Sequence, residues 1–260
     1  MSFKHILLAV AGAVTLATST TALAAPAYTV GTGATYRPFE FQTPSKEIVG
    51  FDIDLMKAIA QAQGFDVEFV NTLWGVIFES VRNGDRDIIM SGITITPARQ
   101  EAVDFSYPYF AAHQLILTQK NLKVNSIADL KGKNVAVVAN SAGDIACSEA
   151  FGKASRNIKR FDNTPLALEE LSAGGVDAAV GDVGVFAYYA LQNPDKAFNQ
   201  ARDPSFKDQY FGIAVRKGNK EVLDKVNAGL KKVIADGTYA KIYAKWFGEN
   251  TPVPKLPIPE

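Results

Sequence analysis

Ile88-Ile89-Met90-Ser91-Gly92-Ile93-Thr94-Ile95-Thr96-Pro97-Ala98-Arg99 runs on into Gln100-Glu101-Ala102-Val103-Asp104-Phe105-Ser106, and the fold turns on how this stretch is read. The apolar run from Ile88 to Met90 suits a strand buried on both faces, as parallel sheets require. Gly92 ends it with a turn. Thr96 reads as a helix N-cap and Pro97 as the first helical residue, where its missing N–H would be orphaned in any case. Arg99 then falls in the first turn. A cation there opposes the helix dipole at a cost of about 0.3–1 kcal/mol when exposed. Free N–H groups, dipole and guanidinium fork also converge there, which makes a strong anion site. On this segment alone, a solvated surface arginine is an equal alternative.

Strand and helix alternate on both sides of this stretch. Ala27–Thr32 reads as a strand, followed by a loop through Gly33, Tyr36 and Pro38-Phe39-Glu40-Phe41. Gly50-Phe51-Asp52-Ile53-Asp54-Leu55 opens a helix with Asp52 as the expected cap; Leu55, Ile59 and Ala62 form its stripe and Gly64 its end. Val67–Val70 alternates as a strand, and Trp74, Ile77, Phe78 and Val81 fall at helical spacing before the turn at Asn83-Gly84-Asp85. From Ser126 the pattern restarts. Val135–Val138 and Ile158–Phe161 read as strands, with helices from Asp144 and over Leu166–Ala173.

The segment Gly174-Gly175-Val176-Asp177-Ala178-Ala179-Val180-Gly181-Asp182 echoes the earlier one. Gly84 corresponds to Gly174, Asp87 to Asp177 and Gly92 to Asp182, all at an offset of 90. The predicted class is α/β with two mainly parallel sheets in two similar lobes. In such open sheets ligands bind beyond the carboxyl ends of strands, where Gly92 and Asp182 fall. Gln114–Thr118 and Tyr210–Val215 are the expected crossings between lobes. Helices follow Asn219, with Val222, Val226, Leu230 and Val233 on one face, and the proline-rich tail should be extended and loosely held.

Composition narrows the function. Lys4, an apolar run from Ile6 to Ala17 and small residues up to Ala24 read as a secretory signal peptide. Its core is too short to span a bilayer, and no later run is long enough either. Export into a Gram-negative periplasm is therefore expected. Without Lys4 and His5, the 27 basic residues fall to 26 against 27 acidic, and His113 is the remaining histidine. That balance offers no basic field for nucleic acid. One histidine and one cysteine, Cys147, leave little material for a zinc site or a histidine-dependent triad. The expectation is a binder with no catalytic residues, no metal and no cofactor.

Tyr36-Arg37-Pro38-Phe39-Glu40-Phe41, Gly50–Leu55, Gly92–Gln100 with Asp104-Phe105-Ser106, Asp236-Gly237-Thr238-Tyr239 and Trp246-Phe247-Gly248 together resemble the periplasmic polar amino-acid-binding proteins of ABC importers, solute-binding family 3. The resemblance spans the mature chain and is closest to the glutamine and lysine/arginine/histidine receptors. It implies the two-lobed periplasmic binding protein fold, type II, with a two-segment hinge. Residues 1–24 would be the signal peptide, 25–112 with 209–250 lobe one, 113–208 lobe two and 251–260 the tail. It implies a monomer that delivers a free amino acid to an inner-membrane ABC permease.

The resemblance also assigns roles. Arg99 would hold the ligand's α-carboxylate, aided by the N–H groups of Ser141 and Ala142. The Gly92 carbonyl, the Thr94 hydroxyl and Asp182 would hold the α-ammonium, and Tyr36 and Trp74 would sandwich the side chain. Both charges of a zwitterion buried between lobes must be matched, or desolvation costs several kcal/mol per ion. Plainer roles stay open: Trp74 as core, Tyr36 as loop packing, Asp182 and Ser141 as helix caps.

The chain departs from the family pattern at Gly33, where basic-ligand receptors often carry aspartate, and at Val138 and Gly181, which are lysine and histidine in the glutamine type. Asn140 stands at a glycine position. These changes make the expected pocket less polar and roomier, favouring a neutral ligand such as glutamine unless Glu40 turns inward. Two alternatives share the fold: an enzyme like the cyclohexadienyl or arogenate dehydratases, and a sensory receptor.

Overall fold

Two five-stranded sheets carry the molecule, and in each, four strands run one way and the fourth in spatial order is reversed. The computed structural model describes residue 25 and residues 27–259; the expected signal peptide lies outside the described residues. The first sheet is ordered Asp66–Asn71, Ala27–Thr32, Ile88–Ile89, Ala214–Arg216, Val103–Phe105. The second is ordered Ile158–Phe161, Val135–Val138, Ala178–Asp182, Gln114–Thr118, Asn199–Ala201. The first three strands of each pair in parallel, and the reversed strand pairs antiparallel on both sides. Ile88, Ile89, Val135, Val137 and Ala178 are fully buried, which explains why these strands read as apolar runs rather than alternations.

The offset-of-90 echo is a structural repeat. Gly84 and Gly174 close the helices Ile77–Asn83 and Thr164–Ala173 in the left-handed conformation. Asp87 then accepts the Thr29 N–H at 2.8 Å, and Asp177 accepts the Asn134 N–H at 2.8 Å. Each aspartate thus fastens its strand to the neighbouring central strand. Gly92 and Asp182, the last matched pair, lie at the cleft.

The crossings fall a few residues from where the apolar runs place them. Phe110–Ala112 pairs antiparallel with Gln209–Phe211 in a separate two-stranded ribbon. Gln114–Thr118 is buried throughout and already belongs to the second sheet, and Ala214–Arg216 belongs to the first.

Asp52 does not cap its helix. The N-cap of Phe51–Gln63 is Gly50, at φ 145, where an added Cβ would lie 1.9 Å from the Phe39 carbonyl oxygen. Only glycine permits that approach. Asp52 is thereby drawn into the helix and faces the interior, fully buried. Phe39 itself is fully buried, with ring centroids 4.8 Å from Phe110 and 5.3 Å from Phe211. This aromatic cluster anchors the loop that presents Tyr36 and Glu40.

Lys220–Ala235 packs on Phe51–Gln63 through buried Val222, Val226, Leu230 and Val233. The proline-rich tail is irregular, yet Leu256 and Ile258 are partly buried against the core, so it is held by more than its ends. Among the described residues, no helix is long and apolar enough to cross a membrane.

Candidate functional site

Residues at the carboxyl ends of both sheets line one cavity of about 460 Å³, within the usual range for small-ligand sites. Tyr36, Trp74, Gly92, Thr94, Arg99, Ser141, Ala142 and Asp182 all border it. The helix Pro97–Ala102 begins as its sequence requires: the Thr96 hydroxyl accepts the Arg99 N–H, and Pro97 stands at the first position. Arg99 folds back so that Nη1 donates to the Thr94 carbonyl at 2.8 Å. Nη2 crosses the cleft to the Asn140 carbonyl at 3.0 Å. The guanidinium lies 5.3 Å from the ring centroids of both Trp74 and Phe78, in cation–π range. Burial pulls its pKa down to about 10, against the attraction of Asp182 and Tyr36, so it stays charged at neutral pH. Arg99 is therefore not a solvated surface arginine.

Asp182 occupies the N-cap position of Val183–Gln192 but makes no side-chain cap bond. Its carboxylate instead accepts from the Tyr36 hydroxyl across the cleft and from Gln114 Nε2 at 2.8 Å. Burial pushes its pKa up to about 6, opposed by those two bonds and by Arg99. Trp74 Nε1 donates to the Ala139 carbonyl at 3.0 Å, a third bond between the lobes. Three side chains of lobe one thus reach groups of lobe two, and the cleft is closed in this structure.

The Ser141 N–H is not free to grip a ligand here. It donates to the Val138 carbonyl at 3.1 Å, and the Ser141 hydroxyl caps its own helix by accepting the Asp144 N–H. The preceding Asn140 adopts φ 59, the left-handed region that asparagine tolerates best among non-glycine residues, which explains how it stands at a glycine position.

Two sequence expectations about space change. Gly181 does not open the pocket: the Phe186 ring occupies the place its side chain would take, 2.4 Å from an added Cβ. Gly33 lines the cavity, but an added Cβ there would already meet Ser91 Oγ at 3.3 Å and the Thr72 carbonyl oxygen at 3.6 Å. Glu40, whose direction the sequence left open, turns inward and lines the cavity, fully buried. A second buried carboxyl, Asp52, lies beside it.

The profile of the bacterial extracellular solute-binding proteins, family 3, matches residues 28–249. The chain belongs to this family. A probable histidine-binding protein of Neisseria gonorrhoeae is 42% identical over 224 residues, covering 86% of this chain and 84% of that one. The ABC transporter glutamine-binding protein of Bacillus subtilis is 36% identical over 219 residues, 82% of this chain and 78% of its own. Among solved structures, the arginine-, lysine-, histidine-binding protein of Geobacillus stearothermophilus superposes with a TM-score of 0.82 at 41% identity, covering 88% of this chain and 96% of that one.

For this family 3 protein, several residues around the cavity went unread in the sequence. Gln114 holds Asp182 and also donates to Gln209 Oε1 at 3.1 Å, tying the acid to the second crossing. Its place at the start of a buried apolar strand was the available signal. Asn71, Thr72 and, from lobe two, Asp162 also line the cavity. They follow the strands Asp66–Asn71 and Ile158–Phe161, where the carboxyl-end rule points.

Proposed function

We propose that this protein is a periplasmic receptor that binds one free L-amino acid between its lobes and delivers it to an ABC importer, without catalysing a reaction. The observation that carries this reading is the opposition of Arg99 and Asp182, a cation from lobe one and an acid from lobe two, in one closed cavity. A zwitterion between them would have both charges met, and it would favour closure because only the closed form offers both partners. Tyr36 and Trp74 border the same cavity and supply aromatic faces for the side chain. The relatives' names point to ligands of this kind: histidine, arginine, lysine and glutamine.

The expectation of a neutral, glutamine-sized ligand rested on an absent counter-charge. Inward Glu40 removes that premise, so the ligand class extends to basic amino acids. A thermal-shift or native mass-spectrometry screen of refolded, ligand-free protein against the twenty amino acids tests the receptor reading, since a ligand raises apparent stability by mass action. No response to any amino acid would overturn it. The same protein incubated with prephenate or arogenate should give no aromatic product; formation of one would replace this reading with the dehydratase alternative.

A further inference from the structure

Beneath the cavity lie two acids that the α-carboxylate and α-ammonium roles do not use. Glu40 and Asp52 are both fully buried. Glu40 Oε1 accepts the Ser91 hydroxyl at 2.7 Å, and Ser91 Oγ in turn accepts the Gly33 N–H at 3.0 Å. Asp52 Oδ2 accepts the Gly92 N–H at 3.0 Å and the Tyr109 hydroxyl at 2.8 Å. That leaves Glu40 Oε2 and Asp52 Oδ1, both buried, without a donor from any other group. The two carboxyls are within hydrogen-bonding reach of each other.

The charged neighbours of the pair are each other and Asp182, with Tyr36 and Tyr109 as neutral hydroxyls. The cleft cation, Arg99, is engaged with the Thr94 and Asn140 carbonyls. Two buried carboxylates without a cation cannot both stay ionised, because desolvation and mutual repulsion both favour a proton. Two carboxyls without that proton would also leave two acceptors facing each other. One proton satisfies both orphan oxygens and leaves one negative charge.

That charge has no partner in a neutral amino acid, whose carboxylate and ammonium are already matched by Arg99 and Asp182. Glu40, joined through Ser91 to the Gly33 N–H, lines the cavity and brings the pair to its wall. We propose that Glu40 and Asp52 share a single proton and that the one negative charge they retain selects ligands with a positively charged side chain. The selectivity rests on the amino-acid reading above; the shared proton does not. Burial and the neighbouring acid raise the Glu40 pKa well above the carboxylate range, and burial raises that of Asp52 to about 6. The pair is therefore a monoanion at neutral pH and becomes neutral on acidification.

Two measurements test this. Infrared spectroscopy of the ligand-free protein at pH 7.5 should show the carbonyl stretch of a protonated carboxylic acid, lost in Glu40→Gln. No such band in the wild type would overturn the shared proton. Calorimetry with arginine and its neutral isostere citrulline should give at least tenfold tighter binding of arginine at pH 7.5. That ratio should shrink towards one at pH 5 and stay near one at every pH in the Glu40→Gln/Asp52→Asn double variant. Asp182 meets the ammonium that both ligands share, so its titration cancels in the ratio. Equal affinity for the two ligands at pH 7.5, or an unchanged ratio in the double variant, would overturn the selectivity. If no amino acid binds, selectivity falls with the receptor reading, while the infrared band still decides the proton.

Discussion

The two lobes share one scaffold and bring different chemistry to the cleft. Matching strands lead to Gly92, three residues beyond Ile88–Ile89 in lobe one, and to Asp182, the last residue of Ala178–Asp182 in lobe two. At Gly92, φ is 53 and an added Cβ would lie 2.6 Å from the Tyr36 ring; the residue offers backbone only, and its N–H is already held by Asp52. At Asp182 the same place in the architecture offers a carboxylate. Lobe one draws its charge from Arg99, a few residues further on, and from acids hidden beneath the strand end. The repeat fixes where groups are presented, and the residue at each place fixes what they bind. A closed cleft with opposite charges on its two walls follows from that division, since a ligand carrying both charges engages both lobes at once.

The largest effects should come from removing either wall's charge. Arg99→Ala and Asp182→Ala should each weaken amino-acid binding by about 3–5 kcal/mol, because each strands one ligand charge in a buried site. Calorimetry giving near-wild-type affinity for either variant would take that residue out of the site and break the symmetry of the two walls.

Next come the glycines that let each lobe close up. In lobe two, a Cβ at Gly143 would meet the Val180 carbonyl oxygen at 2.3 Å, and that backbone cannot swing away as the Tyr36 ring can from Gly92. Gly143→Ala should therefore cost about 3 kcal/mol of stability, a fall in Tm of roughly 6–12 °C. Gly92→Ala should cost less stability and more affinity. Equal melting temperatures for the two variants would contradict this contrast.

For a neutral ligand, acidification should act through lobe two's wall. Asp182 titrates at about 6 in the free protein, and a bound ammonium would hold it ionised. Below that pH, binding must expel its proton, so affinity should fall up to tenfold per pH unit; above it, affinity should be flat. Dissociation constants for a neutral amino acid at pH 8, 6 and 5 check the sign. The smallest effect should come from Phe78, which touches Arg99 but does not line the cavity. Phe78→Leu should weaken binding by about 1 kcal/mol through lost cation–π contact, with Tm as the control for packing.

Much of this was legible in the chain. Thr96 and Pro97 announced the helix start, and Gly84 with Gly174 and Asp87 with Asp177 announced the repeat, because caps, turns and joints rely on residue types at fixed short spacings. Arg99 and Asp182 stood out by falling where such strands deliver ligand-facing residues. The direction of Glu40 was not legible. Its neighbours Phe39 and Phe41 say that the segment packs, but it is Ser91, brought from elsewhere in the chain, whose hydroxyl holds the carboxyl inward. Gly181 misled for the same reason: Phe186 fills the space a missing side chain seemed to leave.

By itself, then, the sequence determined the alternation of strands and helices, the doubled architecture, and the helix start and strand end that carry the charged pair, because periodicity, capping and glycine-only conformations are properties of adjacent residues. The tertiary structure decided that Asp52 is buried rather than a cap, that Asp182 is held by Tyr36 and Gln114, and that Glu40 faces its partner under the cleft. Those outcomes depend on which distant groups arrive within hydrogen-bonding distance, and burial then sets the protonation of whatever they enclose.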